Sequence, residues 1–233
     1  MRENIVIIVS GGSGVRMNAD VPKQYMEVAG QTILGHCVGR FAGNARIGAI
    51  VVVAHPDYCG LAASIAEAAA EGKPVRIAEG GKQRYDSVYA GLKAARMIAT
   101  DCNVLVHDAV RPNVDKGVID GVIDALEEYE AACPVVAVAD TVLQLQDGFQ
   151  PKPLNRNEIK LVQTPQGFRM EKIWFAYNEF LGQSNFEPTD DASIYLRYAF
   201  NADMAITQGN PDNFKITWPG DVGRFEELFR RGM

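Results

Sequence analysis

Residues 10–25 read SGGSGVRMNADVPKQY and combine three glycines with two spaced cations, Arg16 and Lys23. Gly11, Gly12 and Gly14 let the backbone approach a ligand closely, so peptide N–H groups between Ser10 and Gly14, Ser13 included, can converge on one anion. The stretch lacks the third glycine of G-x-G-x-x-G, whose place falls near Arg16, and it lacks the G-K-[ST] ending of a P-loop. A dinucleotide site and a Walker-type ATPase are therefore disfavoured. Val21-Pro22 keeps the chain extended before Lys23. Taken alone, the same residues also describe a glycine turn carrying two solvated cations.

Four further stretches carry candidate chemistry. In VHDAVRP, Asp108 follows a strand, where a carboxylate can hold Mg²⁺ against phosphate oxygens, and Arg111 can grip a phosphate with two N–H groups. The alternative is an Asp–Arg surface pair or a helix cap, and His107 reads as structural. In GGKQRYDSV, Gly80, Gly81 and Lys82 lead to Ser87. Ser87 can cap a helix or read a base edge, while Arg84 can stabilise the loop through an ion pair. Thr189, Asp190 and Asp191 precede an apolar-periodic stretch; they suit an N-cap and equally a polyol substrate. Within NPDNFKIT, Lys215 interrupts an apolar pattern and either enters a site or guards an edge strand. Asp212 beside it is a possible second metal ligand. No nucleophile–base pair stands out. Cations, a glycine cradle and one aspartate suit phosphoryl or nucleotidyl transfer, where positioning and charge stabilisation do most of the catalysis.

The elements that must position these residues alternate along the chain. Continuous β-branched or apolar runs at 5–9 and 49–54 read as buried strands, and 75–78, 103–107 and 134–139 read as further strands. Apolar residues at helical spacing mark 33–42, 58–71, 88–99, 115–129, 171–181 and 191–199. Short strands are expected at 205–207 and 214–217. This alternation predicts an α/β fold: a Rossmann-like, mostly parallel twisted sheet with helices on both faces. Ligands bind such sheets at the carboxyl ends of the strands, where the glycine loop, Asp108 to Arg111 and Asp140 to Thr141 all fall. Residues 140–168 alternate apolar and polar positions around an Asp147-Gly148 turn. They predict a hairpin arm with an extended return, too short to hold a core and so expected to pack on a second subunit. One domain over residues 1–233 with a protruding arm is the expected organisation.

The 233 residues carry 23 Lys+Arg against 29 Asp+Glu, a formal net charge of −6. That balance argues against nucleic-acid and anionic-membrane partners while leaving room for a local basic pocket. No apolar stretch is long enough to span a bilayer. Cys37, Cys59, Cys102 and Cys133 stand apart, without a CxxC pair, as expected of reduced thiols in a cytoplasmic protein; with His36, His55 and His107 scattered, a zinc site is not expected.

Taken as a set and in order, SGGSGVRM, PKQY, GGKQRYDSV, HDAVRP, DTV, RNEIKLVQTPQ, TDDAS and DNFKIT resemble the 2-C-methyl-D-erythritol 4-phosphate cytidylyltransferases of isoprenoid precursor synthesis over almost the whole chain. The resemblance implies a CTP-dependent transfer with Mg²⁺ or another hard divalent cation as cofactor. It implies that Arg16 and Lys23 stabilise the transition state and that Asp108 holds the metal. CTP would be held by residues 10–14 (Ser10, Gly11, Gly12, Ser13, Gly14), by Gly80, Gly81, Lys82 and Ser87, and by Asp108 and Ala109. Arg156 and Lys215 would place the attacking phosphate. Arg111, Thr141, Thr164, Thr189 and Asp190 would contact the polyol. A homodimer through the arm follows, with Arg156 acting on the partner's site. The chain departs from the family at Ser10 and Gly11, where alanines are usual, at Val110, where alanine is commoner, and at Leu196, in place of an acidic residue. Ribitol 5-phosphate cytidylyltransferases resemble the nucleotide loops too and are the alternative. A non-catalytic nucleotide-binding module is disfavoured by the joint presence of Arg16, Lys23, Asp108 and Lys215.

Overall fold

The computed structural model describes residues 2–12, 21–145, 151–182 and 186–232. The expectations for Ser13, Gly14, Arg16 and the Asp147-Gly148 turn lie outside the described residues. In chain order the elements begin β1 (Glu3–Ser10), β2 (Glu27–Val28), β3 (Gln31–Thr32), α1 (Ile33–Ala42), β4 (Ala49–Ala54), α2 (Cys59–Ala69), β5 (Val75–Glu79) and α3 (Arg84–Arg96). They continue with β6 (Cys102–Asp108), α4 (Lys116–Glu128), β7 (Ala131–Ala137), β8 (Leu143–Leu145), β9 (Pro151–Pro153), β10 (Lys160–Val162) and β11 (Gln166–Arg169). The last are α5 (Met170–Leu181), α6 (Asp191–Tyr198), β12 (Met204–Gln208) and α7 (Pro219–Arg231).

The main sheet has the order β10-β7-β11-β6-β1-β4-β5, with β12 paired to β7. β1, β4, β5 and β6 are parallel, and β12 is parallel to β7. Within this sheet β10 and β11 run antiparallel to their neighbours. Every residue of β4 and β6 is buried, as continuous apolar strands covered on both faces must be. Alternation along β1 sends Val6 and Ile8 into the core shared with α1, α2 and α4, and Ile5 and Ile7 into the one shared with α3, α5 and α6. Gly91 brings α3 against the sheet, since a Cβ there would lie 2.4 Å from Ile7 Cγ2.

The expected doubly covered, mostly parallel sheet is observed. The hairpin is present as β8 paired with β9, and its return, β10, joins the edge of β7. Three expectations are corrected, and one helix is added. Residues 214–217 form a loop, not a strand, because side chains and a single backbone bond to Val110 occupy their polar groups. Strand β7 starts at Ala131, three residues before the expected 134, since small apolar Ala131 to Cys133 fit between β11 and β12. Helix α3 starts at Arg84 instead of residue 88, capped by Gln83 with Asp86, so Ser87 lies inside the first turn and is not the cap. Helix α7 was not expected; it starts with Pro219 at its first turn and buries Phe225 against Val28, Ile33, Val110 and Ile216.

Candidate functional site

A cleft of about 580 Å³ opens at the carboxyl ends of β1 and β6, where an open α/β sheet binds ligands. One wall is the glycine loop after β1. Gln24, 2% exposed, fixes that loop by donating through Nε2 to the carbonyls of Ser10 at 2.7 Å and Gly12 at 2.9 Å. The opposite wall is the loop Gly80 to Gln83. Ser87 Oγ accepts from Gly81 N–H and donates to the Gln83 carbonyl, both at 3.2 Å. A Cβ at Gly80 would lie 2.9 Å from Ser87 Oγ, and one at Gly81 2.3 Å from Asp86 Cβ, so both glycines are demanded by packing.

Asp108 ends β6 on the floor of the cleft. Its carboxylate faces Lys215 Nζ at 3.1 Å, Arg111 Nε at 3.4 Å and Arg84 Nε at 3.6 Å. Burial works to raise its pKa, but Arg84, Lys215 and Arg111 outweigh burial and hold the group well below the usual carboxylate range. Arg84 also donates to Asp191 Oδ2 at 2.8 Å, and Asp191 accepts from the Tyr177 hydroxyl at 2.6 Å. Burial pulls the Arg84 pKa down and the two carboxylates push it up further, so the guanidinium stays charged. Lys23 donates to the Ile216 carbonyl at 2.6 Å, joining the first wall to the loop that carries Lys215.

Behind Asp108 lies a buried hydrogen-bond network. His107 Nε2 faces the Arg111 carbonyl at 3.1 Å, and a carbonyl only accepts, so Nε2 carries the proton. Nδ1 then accepts from the Thr164 hydroxyl at 3.0 Å, and Thr164 Oγ1 accepts from Asp108 N–H at 3.2 Å. Burial lowers the His107 pKa to about 4, so the ring is neutral, in the structural role expected for it.

The structure brings Ser10, Gly11, Gly12, Lys23, Gly81, Lys82, Ser87, Asp108, Ala109 and Lys215 to the walls of one cleft. Gly80 and Arg111 stand just behind the walls, against Ser87 and Asp108 respectively. Thr164 is buried with its hydroxyl committed to His107 and Asp108. Asp190 caps α6, accepting from Ser193 N–H at 2.9 Å and from Gln166 Nε2 at 2.8 Å, and Thr189 beside it is exposed. Thr141 and Arg156 are exposed at the arm, where Arg156 donates to the Ala139 carbonyl at 2.9 Å. Asp212 pairs with Arg224 at 3.4 Å and does not line the cleft. Gln24 and His55, which line the cleft, were missed, although Gln24 stands next to Lys23 in PKQY; Asp191, read as a cap or a polyol contact, instead supports the cleft by pairing with Arg84.

A lone carboxylate fits a hard cation that arrives on phosphate oxygens, because Mg²⁺ is commonly held by one or two carboxylates plus the substrate's phosphates. Among the described residues no group of three His, Cys, Asp or Glu forms a cage of its own.

Residues 4–231 match the family model for 2-C-methyl-D-erythritol 4-phosphate cytidylyltransferase. A Clostridium botulinum protein of that name is 35% identical over 233 residues, covering 99% of both chains. A bifunctional enzyme IspD/IspF of Paramagnetospirillum magneticum is 40% identical over 231 residues, which are 98% of this chain and 57% of the relative, so this chain spans little more than half of that protein. The crystal structure of 4-diphosphocytidyl-2C-methyl-D-erythritol synthase from Anaerococcus prevotii superposes with a TM-score of 0.87 at 26% identity, covering 99% of both chains. The Thermus thermophilus 2-C-methyl-D-erythritol 4-phosphate cytidylyltransferase gives 0.74 at 30% identity, covering 99% of this chain and 100% of that one.

Proposed function

This chain belongs to the 2-C-methyl-D-erythritol 4-phosphate cytidylyltransferase family, and from that premise we propose that it joins CTP to 2-C-methyl-D-erythritol 4-phosphate. A phosphate oxygen of the polyol attacks the α-phosphorus of CTP. The new P–O bond forms as the bond to the β-phosphate bridging oxygen breaks, and pyrophosphate leaves with that electron pair. The products are 4-diphosphocytidyl-2-C-methyl-D-erythritol and pyrophosphate. The observation that carries this reading is an ionised Asp108 ringed by Lys215, Arg111 and Arg84 between two glycine loops.

The loops at 10–14 and 80–87 grip CTP by backbone N–H groups, with Ser87 and Ala109 near the nucleoside. Lys23 and Arg16 supply positive charge where it builds on the α-phosphate. Lys215 and Arg156 hold the attacking phosphate, and Thr141, Thr189, Asp190 and Arg111 receive the polyol. Thr164 acts through Asp108 by fixing its backbone N–H. When bound at Asp108, Mg²⁺ would neutralise charge on the triphosphate.

The arm is assigned to a homodimer contact. It exposes Leu143, Leu145, Leu161 and Val162, and it holds Arg156 outside the cleft of its own chain. The four free cysteines suit a reducing cytoplasm.

The deciding experiment supplies the full chain with CTP, Mg²⁺ and one polyol phosphate at a time and measures released pyrophosphate. Release with methylerythritol phosphate is expected. Release with ribitol 5-phosphate alone, or with neither, would overturn the assignment.

A further inference from the structure

Lys215 lies in a stretch without strand or helix, so no ladder fixes its ammonium. The groups that fix it come from the root of the arm. Gln163, 5% exposed, follows β10 directly. Its Nε2 donates to the Asn210 carbonyl at 2.8 Å, and its Oε1 accepts from the Asn210 N–H at 3.1 Å. This pair copies a β-bridge, with a side chain standing in for a strand. Gly209 makes the approach possible, because a Cβ there would lie 2.7 Å from Gln163 Oε1 and 2.8 Å from the Val135 carbonyl. Asn213, fully buried, closes the other side: its Nδ2 donates to the Thr164 carbonyl at 2.8 Å, and its own carbonyl accepts from Arg111 Nη1 at 2.8 Å. Two residues later Lys215 reaches Asp108.

We propose that Gln163 and Asn213 are positioning residues that place the Lys215 ammonium for the reaction and tie that placement to the seating of the arm's return strand. The inference rests on the cytidylyltransferase reading. Neither residue lines the cleft, so any kinetic effect must travel through the loop they hold. The Gln163 Nε2 and Asn213 Nδ2 groups both donate to backbone carbonyls that join the arm root to the 209–217 loop, and the Asn213 backbone carbonyl, through Arg111, joins that loop to the Asp108 turn.

The test compares steady-state kinetics of wild type, Gln163→Ala, Lys215→Ala and the double variant, with CTP and methylerythritol phosphate varied separately. Gln163→Ala is expected to raise KM for the polyol phosphate about 10-fold while leaving KM for CTP unchanged. In the Lys215→Ala background it should add nothing, since both changes then remove the same contact. Additive effects, or a lowered melting temperature with unchanged kinetics, would overturn the proposal. If Gln163→Ala does not fold, Gln163→Glu keeps the acceptor for Asn210 N–H, loses the donor and serves the same comparison. NMR of isotope-labelled dimethyl-lysine gives a readout free of turnover. The Lys215 signal should move in Gln163→Ala toward its position in Asp108→Asn, and an unmoved signal counts against the proposal. A wild type that releases no pyrophosphate would sink the function, while the lysine signal would still decide the positioning.

Discussion

Arg84 touches both the floor of the cleft and the buried carboxylate of Asp191, 107 residues away in sequence. Asp191 is fully buried, with the Tyr177 hydroxyl as its other partner. Removing the guanidinium strands that charge. Arg84→Ala should therefore destabilise the fold by about 3–5 kcal/mol, read as a lower urea midpoint. Adding Asp191→Asn should restore much of the loss, because the stranded group is then neutral. GGKQRYDSV gave Arg84 a loop-stabilising ion pair, and it makes one. The partner was illegible, because TDDAS accounts for its own acids as helix caps, and only tertiary folding brings Asp191 to α3. The role of Gln24, beside Lys23 in PKQY, was illegible for a related reason: an amide takes its role from the carbonyls it meets, and those of Ser10 and Gly12 lie fourteen and twelve residues earlier.

At the scale of elements, the strands were the easiest to read, because the centres of β1, β4 and β6 are buried on both faces and so are written as apolar runs: IVIIV, AIVVVA and VLV. The loop at 214–217 alternates apolar and polar residues as a half-buried strand would, for a different reason: Phe214 and Ile216 face the small core under α7. Alternation reports which side chains are buried, and it is silent on where the backbone bonds go. Helix α7 itself leans on His36 of α1. Phe225 and Phe229 meet that ring edge-on at centroid distances of 5.2 and 4.6 Å, and its Nε2 lies 2.7 Å from the Val28 carbonyl. Burial lowers the His36 pKa, and Arg40 on the same helix lowers it further, against the opposing Val28 bond. The unfolded chain thus takes up a proton at the ordinary value, while the folded chain resists. Stability from this site is whole above that value and is lost as pH falls below it toward the lowered folded pKa. Urea midpoints between about pH 7.5 and pH 5.5 should fall more steeply for wild type than for His36→Gln, which keeps an N–H donor and does not titrate. Equal slopes would exclude His36 as the source.

For the whole molecule, the open question of assembly is whether a cleft is complete within one chain. Arg156 is exposed on the arm and Lys215 is on the body. If the arm serves a neighbour, Arg156→Ala and Lys215→Ala chains should each be inactive, yet recover roughly a quarter of wild-type turnover when refolded together, since half the dimers are mixed and each holds one intact site. No recovery would return Arg156 to its own chain. The hydrogen bond from Lys23 to the Ile216 carbonyl spans 193 residues, and it has a consequence for biosynthesis. A ribosome would have to extrude residue 216 before that clasp could shut. Until then a nascent chain would own the wall that carries Lys23 but no Lys215 against Asp108.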